Sequence, residues 1–191
     1  TNGGVMASVD EAWSMNQVPY LRMRLDGPRE WTRKVDLPLS NEKYLESFLL
    51  SKSEAFGSDH PLFRWERTLN SSDLIKQLNQ AQRINGSFYP NKIKVVSRGD
   101  SGRVTSLKID GKSGSETLLK LDHIRRVLRQ LPSTLFVVKE IKEGKWLFSG
   151  GGFGHGAGMS QSGAIELAKN GWTTKQILSH YYPKTKYGFL P

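Results

Sequence analysis

Between Gly150 and Ala164 the chain reads Gly-Gly-Gly-Phe-Gly-His-Gly-Ala-Gly-Met-Ser-Gln-Ser-Gly-Ala, and three side chains in this run can do polar chemistry: His155, Ser160 and Gln161. An imidazole with a near-neutral pKa donates to or accepts from a sugar hydroxyl or a carboxylate. A carboxamide offers donors and an acceptor together, which suits hydroxyls and N-acetyl groups. The intervening Gly154, Gly156 and Gly158 carry no side chain, so a bulky ligand can lie close to the backbone. The same residues also suit a structural role. His155 would then bond a turn, and Ser160 would cap the following helix at the end that favours an anion. Tyr181 and Tyr182 offer rings for stacking on a sugar face, or equally for the core or rim of a last helix.

Other chemistries fit less well. Gly152–Ala157 matches a dinucleotide-binding spacing, G-x-G-x-x-A, but that fingerprint needs a second parallel strand carrying an acid after its helix. Here the run is followed by helical sequence and then the chain end, and no Gly-Lys-Ser/Thr occurs. His155 and His180 stand 25 residues apart, and His60 and His123 fall in unrelated segments, so no metal site and no cofactor is expected. Glycosidic cleavage calls for a positioned carboxylic acid. Glu42, Glu46 and Glu54 read as the polar face of a helix, Glu66 sits between Arg64 and Arg67, and Glu116, Glu140 and Glu143 lie near turns. No Ser/His/Asp triad follows from spacing, because triads assemble in space.

The glycine run must be delivered by a strand and received by a helix. Leu135–Ile141 and Lys145–Phe148 read as a hairpin around Glu143-Gly144, its second strand entering the run. A helix is expected over Ser160–Asn170, ended by Gly171. Thr173 and Gln176 have capping-box spacing and open a last helix through Tyr182. Upstream, helical periodicity predicts helices near Ser40–Ala55, Ser71–Arg83 and Leu121–Leu131. Phe63–Leu69 alternates as a half-buried strand does, and Lys92–Val96 and Val104–Ile109 read as paired strands around a glycine-bearing turn. Residues 1–36 are mixed in character. The expected class is α+β, with mixed antiparallel strands and about five helices in a single domain, a division into two lobes being left open.

The sequence has 191 residues, no cysteine and a net charge of +10. Disulfides, thiolate metal sites and thiol catalysis are excluded. No apolar run is long enough for a membrane span, and the first residues do not read as a signal peptide, so a targeting segment would lie outside this sequence. A basic surface of this kind attracts polyanions, or equally serves solubility alone. A nucleic-acid partner rests on charge alone, with no recognition helix or aromatic-rich basic strand, and is not expected.

Three blocks in order, Gly154–Ala164, Ala168–Thr173 and Ile177–Pro183, resemble the C-terminal signature of the stage II sporulation protein D family, which includes the amidase-enhancer proteins. Further likenesses are Gly3-Gly4, Glu11-Ala12-Trp13 and Pro19-Tyr20-Leu21, Trp65 with Ser72, Leu74 and Leu78, and Ser133–Phe136. The resemblance thus spans nearly the whole chain. It implies action on peptidoglycan in the manner of lytic transglycosylases, which cleave between N-acetylmuramic acid and N-acetylglucosamine. In them a glutamic acid protonates the leaving oxygen and the muramyl 6-hydroxyl closes an anhydro ring.

This sequence departs from the family pattern in several places. The family's proposed catalytic glutamate lies in a Glu-Met-Pro-like segment ahead of the Gly-Gly stretch, whereas this sequence begins at Thr1-Asn2-Gly3-Gly4. The zinc-associated cysteine and histidine of some members would also lie upstream. Phe153 and Ser162 stand where tryptophan is common, and Lys184 where glycine is. The expectation is a family domain over residues 1–191 lacking its N-terminal segment, acting outside the cytoplasm. Gly154, His155, Gly156, Gly158, Ser160 and Gln161 would line a glycan groove, with Tyr181 and Tyr182 beside it and Arg125 meeting a lactyl or peptide carboxylate. The alternative is a non-catalytic module that binds peptidoglycan or stimulates a cell-wall amidase.

Overall fold

The computed structural model describes residues 1–51, 54–84, 88–112, 114–186 and 188. The chain opens with strand β1 (Val5–Met6), a single-turn helix α1 (Val9–Ala12), strand β2 (Arg24–Leu25) and a second single turn, α2 (Arg29–Thr32). β1 and β2 pair antiparallel, Val5 with Leu25 and Met6 with Arg24. Helix α3 (Glu42–Leu50) follows, started by the Asn41 side chain accepting the Lys43 amide. Strand β3 (Arg64–Asn70) runs directly into α4 (Ser71–Gln80), whose first turn is closed by a capping box between Asn70 and Asp73. Strands β4 (Pro90–Arg98), β5 (Val104–Gly111) and β6 (Glu116–Lys120) form an antiparallel sheet in that order. Helix α5 (Asp122–Val127) leads to the hairpin β7 (Phe136–Lys142) and β8 (Lys145–Gly151). β3 pairs with the outer side of β8, giving the order β3-β8-β7. Helices α6 (Gln161–Lys169) and α7 (Thr174–Tyr181) complete the described fold.

The core divides by what each element has to bury. Trp65, Trp146 and Phe148 from the β3-β8-β7 sheet meet Leu107 and Ile109 from β5 and Leu74 and Leu78 from α4. A second cluster gathers Leu45, Phe48 and Leu49 of α3 with Trp31, Phe63 and Leu135. The spacing of those three α3 residues puts them on one face of the helix. Each such side chain contributes about 1.5–3 kcal/mol when fully buried. A third cluster seats α6 and α7 on β1 through Met6, Leu167, Ile177 and Tyr181.

The α+β class read from the sequence holds. All five expected helices are present, as α3 to α7, and the single turns α1 and α2 join them in the stretch read as mixed. Residues 52 and 53 of the first expected helix lie outside the described ones. α5 is shorter than Leu121–Leu131, because Leu128 leaves the helical conformation at φ −87°, ψ 72°, well ahead of Pro132. β6 is an addition. Its alternation buries Thr117 and Leu119 against β5, in a stretch where the sequence shows Glu116 only as lying near a turn.

Candidate functional site

β8 delivers the glycine run through two glycines that are themselves in the strand. Gly150 lies opposite Trp65 on one side and Phe136 on the other. A Cβ at Gly150 would overlap the Trp65 ring and the Leu135 carbonyl. The Trp65 indole N–H donates to the Gly152 carbonyl at 2.9 Å and fixes the point where the loop leaves the sheet. From there every second residue is left-handed, with φ of +78° at Gly152, +89° at Gly154, +78° at Gly156 and +78° at Gly158. Ordinary residues resist that conformation, so the alternation of glycine in the sequence is a backbone requirement. The loop is tied to distant chain at several points. The Gly154 amide donates to Pro132 O at 2.9 Å, the Gly156 carbonyl accepts the Ala7 amide at 3.0 Å, and the Met159 amide donates to the Tyr182 hydroxyl at 3.3 Å. Ser160 Oγ then accepts the Gly163 amide at 3.2 Å and starts α6, which fulfils its expected capping role.

Seven of the nine expected site residues line one cavity of about 380 Å3. Gly154, His155, Gly156, Gly158, Ser160 and Gln161 come from the loop and the start of α6, and Arg125 comes from α5. The sequence reading did not include Asn2, Phe153 and Met159, which also line it. Phe153 is 56% exposed, so an aromatic face is open at the rim. Tyr182 stands behind the loop, its hydroxyl against Gly158 and Met159. Tyr181 is a correction. It is 1% exposed, its hydroxyl donates to Asp26 at 3.2 Å, and it packs with Met6, Leu167 and Ile177, so it presents no ring face to a ligand. Adjacent residues on a helix do not face the same way, and the pair separates accordingly.

His155 is exposed at one edge, while Trp13 packs against the ring with centroids 4.5 Å apart. Its Nδ1 accepts the Ala157 amide at 3.1 Å. That bond leaves Nε2 to carry the proton of the neutral ring and to donate outward. Burial holds the His155 pKa below its ordinary value. The nearby charge of Asp122 acts the other way, and those of Arg103 and Arg125 reinforce the lowering. Arg125 is itself oriented by Asp122, with Nε 3.1 Å from the carboxylate, and Arg126 binds the other oxygen at 2.7 Å. The cavity wall therefore offers a neutral N–H donor, a carboxamide and a fixed guanidinium.

Beneath the floor lies Arg103, 1% exposed, donating to Asn2 O at 2.8 Å and Val5 O at 3.1 Å. Burial pushes its guanidinium down to about 10, so it stays charged at neutral pH. Glu11, also buried, accepts from the Ser101 amide and hydroxyl on the turn between β4 and β5. Neither the role of Arg103 nor that of Trp13 had a signal in local spacing. Both lie far from the loop in sequence and reach it only through the fold.

The chain is 27% identical to the amidase enhancer of Bacillus subtilis (strain 168), over an alignment of 211 positions covering 97% of this chain and 28% of that protein. It is 36% identical over 85 residues to an uncharacterized protein of Brachyspira hyodysenteriae (strain ATCC 49526 / WA1), covering 40% of this chain and 23% of that protein. The chain thus spans less than a third of the length of either relative. The likeness to the amidase enhancer supports a distant relationship, the coarser part of the resemblance read from the sequence. A family model described as a domain of unknown function matches residues 7–158, from the bridge that Ala7 makes with Ala157 to the last of the alternating glycines. On that match, which covers most of the chain, the protein belongs to the family Domain of unknown function (DUF8618).

Proposed function

We propose that this chain is a peptidoglycan-binding module that acts outside the cytoplasm, holds a glycan strand against the glycine floor, and supports a cell-wall amidase. The observation that carries this reading is the convergence of the His155 imidazole, the Gln161 carboxamide and the Arg125 guanidinium on one open cavity floored by bare backbone. Donors and acceptors of this kind match hydroxyls, N-acetyl groups and carboxylates. Exposed Phe153 adds an apolar face for a sugar ring. The distant likeness to an amidase enhancer over 97% of the chain supports a cell-wall role.

Cleavage of the strand, as the transglycosylase resemblance implies, needs a positioned carboxylic acid. Among the described residues no carboxyl group lines the cavity, and Asp122 close by is held by Arg125 and Arg126. Binding is the role these side chains support. The test is pull-down of the chain on purified glycan strands. His155→Ala combined with Gln161→Ala should weaken retention roughly tenfold, the loss of two hydrogen bonds of ordinary strength. Undiminished retention would overturn the assignment. Anhydro-muropeptides detected by mass spectrometry after incubation would replace binding with cleavage.

A further inference from the structure

The cavity described above does not end at Arg125. A second cavity, of about 640 Å3, shares Arg125 and Phe153 with it and runs on between α5 and β3. Its wall carries Arg67, Arg125, Arg126 and Arg129 and, among the described residues, no acidic side chain. The adjacent Asp122 engages Arg125 and Arg126, so among the described residues one carboxylate pairs with two of the four guanidinium groups. Arg67 makes one hydrogen bond, to the carbonyl of Glu66, and Arg129 makes none among the described residues. The Glu66 side chain lines a different cavity with Trp65 and Lys139 and bonds Ser149, so it does not neutralise Arg67.

Four arginines at one place are mutually repulsive unless an anion joins them. All four cations are arginine, whose planar fork pairs with the two oxygens of a carboxylate or phosphate group. Phe153, shared by both cavities, would let one polymer lie on the glycine floor and continue past the aromatic ring into the arginine wall.

We propose that this arginine-lined trench is an anion subsite that binds carboxylates borne by the same glycan strand that occupies the glycine-floored cavity. The inference rests on the glycan-binding reading and adds to it a preference for strands whose sugars carry free carboxylates. The Arg67 and Arg129 side chains supply the charge that remains for the ligand, while Arg125 and Arg126 are held in place by Asp122.

The experiment compares purified glycan strands with free carboxylates against the same strands amidated to neutrality, using wild type and the double variant Arg67→Gln/Arg129→Gln. Circular dichroism checks that the variant is folded, as both side chains lie outside the core. Wild type should bind amidated strands roughly tenfold more weakly, the size of one or two charge-assisted hydrogen bonds. The double variant should bind free-carboxylate strands at that lower level and be indifferent to amidation. Equal binding of both strands by wild type overturns the proposal. So does a variant that keeps the full preference. Tighter binding of a phosphodiester polymer or of duplex DNA through Arg67 and Arg129 overturns it as well, and reassigns the trench. The His155→Ala/Gln161→Ala variant is run in parallel. If it binds like wild type while amidation still matters, the floor reading fails and the trench stands. If amidation has no effect while His155→Ala/Gln161→Ala binding falls, the trench alone fails. If wild type binds neither strand, both fail.

Discussion

At His155 a single hydrogen bond sets the chemistry. Its Nδ1 is occupied by the Ala157 amide, so protonating the ring would bring two hydrogens together at the turn, and Trp13 limits the water that could stabilise the cation. Both effects favour the neutral ring, in agreement with a pKa held below the ordinary 6.5 chiefly by burial. Because the unfolded chain binds this proton more readily, the stability that the neutral ring contributes is complete above about pH 6.5 and is lost as pH falls through the folded pKa. Long-range proton–nitrogen NMR should find the Nε2–H form of His155 and a midpoint below 6.5. Trp13→Ala should move that midpoint upward. A neutral ring protonated at Nδ1, or a midpoint at or above the ordinary value, would show that the ring is not held as described. The imidazole's candidacy was legible from the sequence, since a histidine among glycines suits either a ligand or the turn it bonds, and here one nitrogen bonds the turn while the other is left to donate. The burial that lowers its pKa was not, because the Trp13 contact joins residues far apart in the chain.

The glycine loop as an element depends on what lies beneath it. Gly154 and Gly156 both have positive φ, and replacing either with alanine costs about 1–2 kcal/mol for the left-handed backbone alone. The two differ in their surroundings. A Cβ at Gly154 meets nothing within 4 Å, whereas one at Gly156 would overlap the Arg103 guanidinium. Arg103 cannot retreat, since it is buried and spans the Asn2 and Val5 carbonyls. Urea melts should therefore show Gly156→Ala losing about 1–3 kcal/mol more than Gly154→Ala, the usual range for overpacking. Equal losses would mean that Arg103 does not support the floor. Elements built on a few adjacent residues were readable in advance: Ser160 before α6, Gly171 after it, and Thr173 with Gln176 opening α7. β1, β2, α1 and α2 were not, because two to four residues are too few to show a period. β1 exists through its pairing with β2 and its contacts with α6 and α7, which no local pattern records.

Across the whole molecule, Asp26 joins the two ends of the chain. It is fully buried and accepts from the Asn2 side-chain Nδ2 at 2.7 Å, His180 Nε2 at 2.8 Å and the Tyr181 hydroxyl at 3.2 Å. Burial, then the negative charge of Asp26, push the Tyr181 pKa upward, so the hydroxyl keeps its proton and remains a donor. Asn2 lines the candidate cavity, and Tyr181 packs against Gly163 in the helix that Ser160 and Gln161 begin. The carboxylate therefore holds the cavity wall from one chain end to the helix that starts from its floor. Asp26→Asn would turn an NH2 group toward donors that need an acceptor and should cost about 3–5 kcal/mol, as when one partner of a buried charged network is removed. Tyr181→Phe removes one donor and should cost about 1 kcal/mol. Denaturant melts measure both losses, and amide hydrogen exchange locates them. Asp26→Asn should speed exchange in α6, α7 and the β1–β2 pair together, because all three depend on the one side chain. A loss confined to α7, or a stability change no larger than that of Tyr181→Phe, would show that the two chain ends are held by apolar packing of Met6, Leu167 and Ile177 and not by this carboxylate.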